Sequence, residues 1–318
     1  KLPFFGCAET LIANNEIIGV TGHGLAVLST HRIPERLENL QIRDNEIRRM
    51  GGAGIHINEP AQVIGLEIAG NRIQECGRDT GRDVGNAAVR GGIVLRGVAQ
   101  CSIHANHIER CGIELAEVAA FGIDLDSVID LRITSNTIRE NGSARAYVDS
   151  GGIRLEEVYG SVMIDQNQIT GNHGPALHWM NLARGKTTMP FLNDVYMSSK
   201  VNEQFAATDA MMGDRLSKGA PSIALSQNNV IEYRGGEDDP IVYLTYIDEL
   251  TFSANSCRTQ SRSMNQLAEF QWIGYGVIAN NLLFGGLEVS ISVQDLGEGA
   301  ILGNVGDKPI QVYPLHAS

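Results

Sequence analysis

The stretch Ile103-His104-Ala105-Asn106-His107-Ile108 decides the fold, because its pattern recurs along the chain. Ile68-Ala69-Gly70-Asn71-Arg72-Ile73 precedes it by 35 residues, and Ile133-Thr134-Ser135-Asn136-Thr137-Ile138 follows it by 30 residues. A second phrase, Gly-Ile-x-Leu, follows each of the three, at 92–95, 122–125 and 152–155. Such self-similarity is the signature of a solenoid. Apolar and polar residues alternate within each phrase with the strand period, so each repeat holds at least two short strands.

The asparagine serves as a register mark for the whole chain. Parallel strands lie roughly 4.8 Å apart, so equivalent residues of successive coils stack and their apolar columns form inner ribs. We expect the asparagine to adopt the left-handed backbone of a tight corner and to bond from coil to coil as an asparagine ladder. The predicted members are Asn15, Asn45, Asn71, Asn106, Asn136, Asn167, Asn228, Asn255, Asn280 and Asn304.

The asparagine turn followed by Gly-Ile-x-Leu resembles the right-handed parallel β-helix repeats of the pectin-lyase-like superfamily. The end of the chain, from Ala300 to Val312, is similar to the close of β-helix domains in large bacterial proteins. The resemblance covers nearly the whole chain. It implies an all-β fold, a single right-handed parallel β-helix solenoid of about ten coils, and it favours an extracellular or cell-surface location.

Longer intervals between asparagines indicate insertions. Loops at 78–91, 113–121 and 143–151 leave the same corner of three successive coils. The interval from Asn167 to Asn228 is 61 residues, and its stretch 180–221 lacks both phrases. We expect a long irregular or partly helical insertion there, since a loop of this length is often functional.

Composition narrows the class of partner. The chain has 318 residues and a formal charge of −12, which argues against nucleic acid because phosphate binding needs a basic stripe. A cation such as Ca²⁺, or a neutral glycan, is compatible with this charge. No apolar run reaches the ~18 residues of a membrane span. The chain opens on Lys1 without a signal pattern, so we expect residues 1–318 to be one domain cut from a longer protein.

Outward positions of the Gly-Ile-x-Leu strands form the candidate site. Ile123 and Leu125 are expected to face inward, so Asp124 and Asp126 face outward, about 6.6 Å apart along the strand. That separation lies near the ~6.5–9.5 Å between the carboxyl groups of inverting glycosidases. The predicted catalytic residues are Asp124, Asp126 and Arg154, and the predicted ligand-binding residues are His56, Arg96, Glu156, Tyr147 and Asp149.

Three interpretations of this patch stay open at the level of sequence. Stacking Asp126 on Arg96, and Asp124 on Arg154, is ordinary pairing of opposite charges between strands. The same residues could hold a ligand or Ca²⁺, or could act in catalysis. The resemblance implies that β-helix polysaccharide enzymes work from such an outer face, beside loops at one corner. Any bound glycan or cation is expected to contact Asp124, Asp126 or Arg154.

Other motifs favour structural roles. Polygalacturonases carry Asn-Thr-Asp, Asp-Asp, Gly-His-Gly and Arg-x-Lys in order, but Gly22-His23-Gly24 stands alone here and is interpreted as a turn with a surface histidine. The Asp-Pro-His signature of alginate epimerases is absent. His104 and His107 supply only two ligands where a metal needs three or four. Cys76 and Cys111, in adjacent coils, are predicted to be reduced and inward. The acidic run 237–239 is expected to be hydrated, with weak Ca²⁺ binding as the alternative.

Two functions follow from these features. The favoured one is a noncatalytic β-helix module of a large bacterial surface or tail-like protein, a rigid spacer or glycan-binding face attached to the other domains of that protein. The alternative is a polysaccharide lyase, glycoside hydrolase or epimerase acting at Asp124, Asp126 and Arg154. A flat face of paired charges favours the module, and a deep groove with converging carboxylates and an aromatic platform such as Tyr147 favours the enzyme. No cofactor is expected.

Overall fold

The computed structural model describes residues 7–28, 36–58, 61–78, 90–113, 119–143, 150–180, 222–231, 240–259, 266–285 and 288–314. These residues form strands and turns, as the all-β prediction requires. Within these ranges no helix is long and apolar enough to cross a membrane. Nearly all of the predicted insertion at 180–221 lies outside the described residues, so that insertion stays a prediction.

The strands follow one another in the order that the repeat predicts. They are β1 (Cys7–Ala13), β2 (Glu16–Ile18), β3 (Leu25–Val27), β4 (Arg36–Arg43), β5 (Glu46–Arg48), β6 (Ile55–Ile57), β7 (Gln62–Ala69), β8 (Arg72–Gln74), β9 (Arg90–His104), β10 (His107–Glu109), β11 (Ala120–Thr134), β12 (Thr137–Arg139), β13 (Ser150–Asp165), β14 (Gln168–Thr170), β15 (Leu177–Met180), β16 (Ser222–Ser226), β17 (Asn229–Ile231), β18 (Val242–Ser253), β19 (Ser256–Arg258), β20 (Gln266–Ala279), β21 (Leu282–Phe284), β22 (Val289–Leu302), β23 (Val305–Gly306) and β24 (Ile310–Pro314).

Each coil contributes strands to two parallel sheets. The larger sheet runs β1-β4-β7-β9-β11-β13-β15-β18-β20-β22-β24, with β16 beside β13 and β18, and with β3 paired to β6 and β6 to β9. The smaller sheet runs β2-β5-β8-β10-β12-β14-β17-β19-β21-β23 and has ten strands among the described residues, one after each corner asparagine. Neighbours in both sheets are distant in sequence, because the chain completes a coil before it pairs again.

The long strands of the larger sheet bend at two left-handed residues. In β11 these are Ser127 (φ 57°) and Asp130 (φ 54°). The bend divides the strand into a first arm, up to Asp126, and a second arm that leads to the asparagine corner. The outward side of the first arms of β9, β11 and β13 is called the site face below.

Inward columns fill the core as predicted. Ile123 and Leu125 are fully buried between the equivalent residues of β9 and β13. Burying each such side chain contributes about 1.5–3 kcal/mol, so the stacked columns supply most of the cohesion between coils.

The glycine that opens each Gly-Ile-x-Leu phrase is required by close packing. A Cβ atom built on Gly122 would lie 2.7 Å from Cγ2 of Ile138 and 2.9 Å from the carbonyl oxygen of Gly152. Both distances are shorter than van der Waals contact, so a side chain at this position would force neighbouring coils apart.

The asparagine ladder hydrogen-bonds successive corners. The backbone N–H and Nδ2 of Asn136 both donate to Oδ1 of Asn167, at 2.9 and 3.0 Å, and Nδ2 also donates to the carbonyl of Ile103, at 2.9 Å. This pattern continues from Asn15 to Asn304, across the 61 residues between Asn167 and Asn228. The amides thereby satisfy corner backbone groups that would otherwise be buried without partners.

Two details of the predicted ladder are wrong. The member in the ninth position is Asn281, whose Oδ1 accepts from Nδ2 of Asn255 at 3.1 Å, and not the exposed Asn280. The inward neighbours of this ladder position are Ile278 and Leu283, which are both buried. The left-handed residue is also not the ladder asparagine but the one before it, for example Asn280 with φ 55°. The corner therefore needs two residues with separate tasks.

A second buried column lies five residues after the ladder. Cys76 and Cys111 are buried free thiols, as predicted, and burial raises the pKa of Cys111 well above its ordinary value. Further along the column stand Asn141 and Asn172, whose amides repeat the ladder bond at 3.0 Å. The sequence pattern missed this short second ladder, which ties the same coils that carry the site face.

Candidate functional site

Strand register brings the predicted site residues together. Asp124 stands opposite Val94 of β9 and Arg154 of β13, and Asp126 stands opposite Arg96 and Glu156. The predicted pairs Asp126 on Arg96 and Asp124 on Arg154 are therefore present. The alternation of inward and outward residues fixes this arrangement, since a slip of one residue would turn every charge into the core.

Asp124 points away from the core but is not exposed, which corrects the expectation of an open outward carboxylate. Its side chain is 0% exposed. Arg96 donates Nη2 to Oδ2 at 2.9 Å, while Arg154 donates Nε to Oδ1 at 2.6 Å and Nη2 to Oδ2 at 3.1 Å. Bidentate pairing of this kind orients a guanidinium firmly. The two arginines cover the carboxylate, so Asp124 presents no surface to a substrate in this conformation.

Each arginine also reaches a second, more open carboxylate. Nε of Arg96 lies 3.3 Å from Oδ2 of Asp126, and Nη1 of Arg154 lies 3.8 Å from Oε2 of Glu156. Carboxylates and guanidinium groups therefore alternate along the network, which contains three carboxylates and two guanidinium groups. Burial lowers the pKa of Arg154, but its hydrogen bond and charge pairing with Asp124 more than offset this and raise the pKa above the ordinary value.

An aromatic ring supports the buried side of this network. The guanidinium carbon of Arg154 lies 5.1 Å from the centre of the Phe121 ring, within cation–π distance. Phe121 is fully buried and stands opposite Gly91 and Gly151 in register. The ring and Asp124 together hold Arg154 in place.

The accessible part of the network is a polar surface depression. Asp126 and Glu156 each keep 28% of their side-chain surface exposed, whereas Arg96 and Arg154 keep 16% and 17%. The depression has a volume of about 200 Å³ and is lined by Asn58, Arg96, Asp126, Ser127, Glu156 and Glu157. It thus offers carboxylates, hydroxyl and amide groups at the surface, with the arginines beneath them.

His56 borders the site through a stacked histidine pair. The rings of His23 and His56 lie 4.1 Å apart and are nearly parallel, at 4°. The N–H of Ala53 donates to Nδ1 of His23 at 3.0 Å. Burial, then the charges of His23 and Arg96, lowers the pKa of His56 to about 4. His23 therefore lies in a bend, as predicted, but it is a half-buried packing partner instead of a lone surface histidine.

Several predicted features fall outside this description. Tyr147 and Asp149 lie outside the described residues, as do most of the loops at 78–91, 113–121 and 143–151 and the acidic run 237–239. Their proposed roles stay predictions.

His104 and His107 do not form a joint site. Nε2 of His104 lies 2.9 Å from Glu67, and Nε2 of His107 lies 3.0 Å from Glu109. No group of three His, Cys, Asp or Glu side chains within the described ranges is placed to hold a metal ion. The proposed Ca²⁺ site stays a prediction.

The site face continues along the larger sheet beyond the predicted residues. The column of Asp124 and Arg154 passes in register to His178, Tyr243 and Glu269, and the rings of His178 and Tyr243 contact edge to face at 5.5 Å. These coils lack the Gly-Ile-x-Leu phrase, which is why the sequence pattern missed them. Polar residues alternate with apolar ones in 266–271, and this strand period could have predicted the outward side chains there.

Comparison with known protein families agrees with this architecture. A family model described as a right-handed beta helix region matches residues 4–188, more than half of the chain, and the predicted right-handed parallel β-helix is therefore confirmed. Among solved structures, the chain is similar to a mutant DFA-IIIase from Arthrobacter chlorophenolicus A6 in complex with DFA-III. The identity is 11%, the TM-score is 0.43, and the match covers 92% of this chain and 73% of that one. A search of curated protein sequences finds no match.

Proposed function

This chain belongs to the right-handed β-helix family, and we propose that it is a noncatalytic module whose site face binds a polysaccharide. The observation that carries the proposal is the paired charge network, in which three carboxylates share two guanidinium groups. Asp124 is covered by two arginines, and each arginine also holds one of the two more open carboxylates. A general acid must reach its substrate, whereas a binding face needs only fixed donors and acceptors.

Carboxylates and arginines of this kind suit sugar hydroxyl groups. Asp126 accepts from the Ser127 hydroxyl at 3.0 Å and lies 3.3 Å from Arg96, and Glu156 lies 3.8 Å from Arg154. Each carboxylate keeps 28% of its side-chain surface exposed and can accept further hydrogen bonds there. The guanidinium groups lie within ion-pair distance of these acceptors, which restricts the two side chains and lowers the entropic cost of binding. A rigid row of coils presents them to an elongated polymer.

In this proposal the chain is one part of a larger surface or tail-like protein at the cell surface, where it also acts as a rigid spacer. The continuous ladder and core columns favour a stiff rod. Polysaccharide is the proposed partner, together with the other domains of the parent protein.

A specific observation favours the enzyme as a second candidate. Asp126 and Glu156 are direct neighbours on adjacent strands, about 4.8 Å apart at the backbone. Retaining glycosidases place their two carboxyl groups about 5–5.5 Å apart, a separation that two side chains on neighbouring backbone positions of this kind can adopt. If the chain is an enzyme, this accessible pair is a better candidate than Asp124 for the reacting carboxylates.

A glycan array tests the binding function. The double variant Asp126→Asn, Glu156→Gln is compared with the parent and with a matched control, Glu67→Gln, Glu109→Gln, which removes two carboxylates paired with other arginines, Arg43 and Arg139. Hydrogen bonds to charged groups contribute about 1.5–3 kcal/mol each, so the site variant is expected to bind its glycan at least about tenfold more weakly. Binding that survives in the site variant but falls in the control would place the ligand elsewhere.

A further inference from the structure

A cluster of side-chain amides surrounds a single carboxylate near the end of the larger sheet. Gln266, Glu269, Gln271 and Gln294 are called the amide patch. Nε2 of Gln266 donates to Oε2 of Glu269 at 2.6 Å, and Nε2 of Gln271 and of Gln294 donate to Oε1 at 2.6 and 3.2 Å. Three amides are therefore held in fixed orientations by one acceptor residue.

The amide patch differs in charge from the arginine network. Among the described residues Glu269 forms no ion pair, whereas Asp124 pairs with two arginines. Each glutamine uses one amide hydrogen on Glu269 and keeps its carbonyl oxygen and second hydrogen for other partners. The hydroxyl of Tyr243 lies 3.5 Å from Oε1 of Gln271, which shows that this oxygen accepts from outside the patch.

Strand register arranges hydroxyl and aromatic groups around the amides. One outward column runs through Tyr243, Glu269, Ser292 and Gln311, and the next runs through Thr245, Gln271, Gln294 and Tyr313. Tyr243 and Tyr313 stand at opposite corners of this block, three strand spacings or about 14 Å apart across the strands. Tyr313 is 50% exposed.

A tryptophan occupies a strained position at the edge of the same block. Trp272 follows Gln271 directly, has φ 53° and is 40% exposed. The left-handed region costs a non-glycine residue about 1–2 kcal/mol, and in β9 the corresponding bend residue is Gly97, with φ 70°. The same bend is left-handed at Ser127 of β11 and at Glu157 of β13 (φ 50°), so the conformation belongs to the fold, and it leaves the Trp272 ring partly exposed beside the amide patch.

We propose that the amide patch, with Tyr313 and Trp272, is a second subsite of the site face and takes a neutral, hydroxyl-bearing oligosaccharide segment. This inference rests on the proposed glycan-binding function. Preoriented amides donate to and accept from sugar hydroxyl groups, and the aromatic rings provide apolar surface for the carbon face of a sugar ring. The two patches are continuous through His178 and Tyr243, so one polymer can cross both.

Glu269 forms no ion pair among the described residues, and its negative charge determines the class of sugar. A uronate placed beside this carboxylate would meet a like charge, and juxtaposed like charges oppose binding. Neutral sugars carry no such penalty. The subsite therefore selects against polyuronates, in contrast to a site that uses free arginines.

The test is an array of neutral and uronate oligosaccharides, followed by titration of the full chain with the best neutral glycan. Tyr313→Ala and Gln271→Ala are each expected to weaken its binding about five- to tenfold, the range for loss of one aromatic or amide contact. Trp272→Gly should do the same, and the variant should still fold because glycine adopts the left-handed bend readily. Tyr275→Ala is the matched control, since Tyr275 is 48% exposed but lies beyond the bend, opposite Glu249 and Glu298.

The outcomes separate this inference from the proposed function. Weaker binding in Tyr313→Ala, Gln271→Ala and Trp272→Gly, with unchanged binding in Tyr275→Ala, supports the subsite. Binding only to uronates overturns the subsite and leaves glycan binding intact, as does binding to a neutral glycan that depends on Asp126 and Glu156 but not on the patch. Binding to no glycan overturns both. If Gln271→Ala does not fold, Tyr313→Ala alone decides, because its side chain is half exposed.

Discussion

Two adjacent asparagines give the sharpest test of how the corners are stabilised. Asn281 is fully buried, whereas Asn280 beside it is exposed and left-handed. Oδ1 of Asn281 accepts from the backbone N–H and Nδ2 of Asn255, at 2.9 and 3.1 Å, and its Nδ2 donates to the carbonyl of Phe252, at 2.9 Å. The perturbation is Asn281→Leu, with Asn280→Gly as its matched control.

The magnitude follows from the groups that lose this side chain. Leucine leaves the Asn255 N–H and the Phe252 carbonyl without their amide partner, and each such buried group costs about 1–3 kcal/mol. Asn281→Leu should therefore destabilise the chain by about 2–6 kcal/mol. Asn280→Gly removes no hydrogen bond of the ladder and places glycine where φ is positive, so its effect should stay within about 0.5–1 kcal/mol.

Guanidinium unfolding followed by far-UV circular dichroism measures both variants. The expected result is a clearly lower guanidinium concentration at the unfolding midpoint for Asn281→Leu, with little change for Asn280→Gly. Equal losses at the two positions, or a larger loss at Asn280, would refute the assignment of hydrogen bonding and left-handed conformation to separate residues.

Three further predictions concern the charges and thiols. Asp124→Asn should destabilise the fold by about 3–5 kcal/mol, as removal of one partner from a buried ion pair does, while Asp126→Asn should cost less than about 1 kcal/mol. Equilibrium unfolding measures both variants, and equal losses of stability would contradict the burial of Asp124 beneath the two arginines. Burial raises the pKa of Cys101 and Cys257 to about 12, so a thiol reagent should label them only after unfolding. Counting the thiols of the unfolded protein without reductant should give five, and a count of three would indicate a disulfide. Burial lowers the pKa of His56 to about 4 in the folded chain, whereas a histidine in the unfolded chain is protonated near pH 6.5. The parent should therefore lose stability as the pH falls from 6.5 to 4, and His56→Gln should lose less. Equal losses of stability in both proteins would contradict a lowered pKa for His56.

The repeat pattern predicted the fold because stacking imposes it locally. Inward isoleucines and the corner asparagine recur in nearly every coil, so a substitution in one coil does not obscure the repeat. The one register error occurred where two asparagines adjoin, at 280 and 281. Sequence spacing alone could not decide between them, since only hydrogen bonding and burial distinguish the two positions.

The sequence predicted which residues form the site, but not which of their side chains are accessible to solvent. Strand alternation placed Asp124, Asp126 and Arg154 on one face, as the structure has them. The burial of Asp124 depends on how Arg96 and Arg154 fold over it, and long side chains have many conformers that a spacing pattern does not fix. The amide patch escaped prediction because glutamine carries no motif, and its significance arises only when Gln271 and Gln294 converge on Glu269.

The measurement closest to the central claim is product analysis of the glycan that binds most tightly. The parent chain is incubated with this glycan at saturating concentration, and the mixture is examined by mass spectrometry and proton NMR. Binding without turnover predicts that the glycan is recovered with unchanged length, unsaturation and stereochemistry. Shortened, unsaturated or epimerised product, formed by the parent and lost in Asp126→Asn or Glu156→Gln, would contradict the account and identify the chain as a polysaccharide-active enzyme.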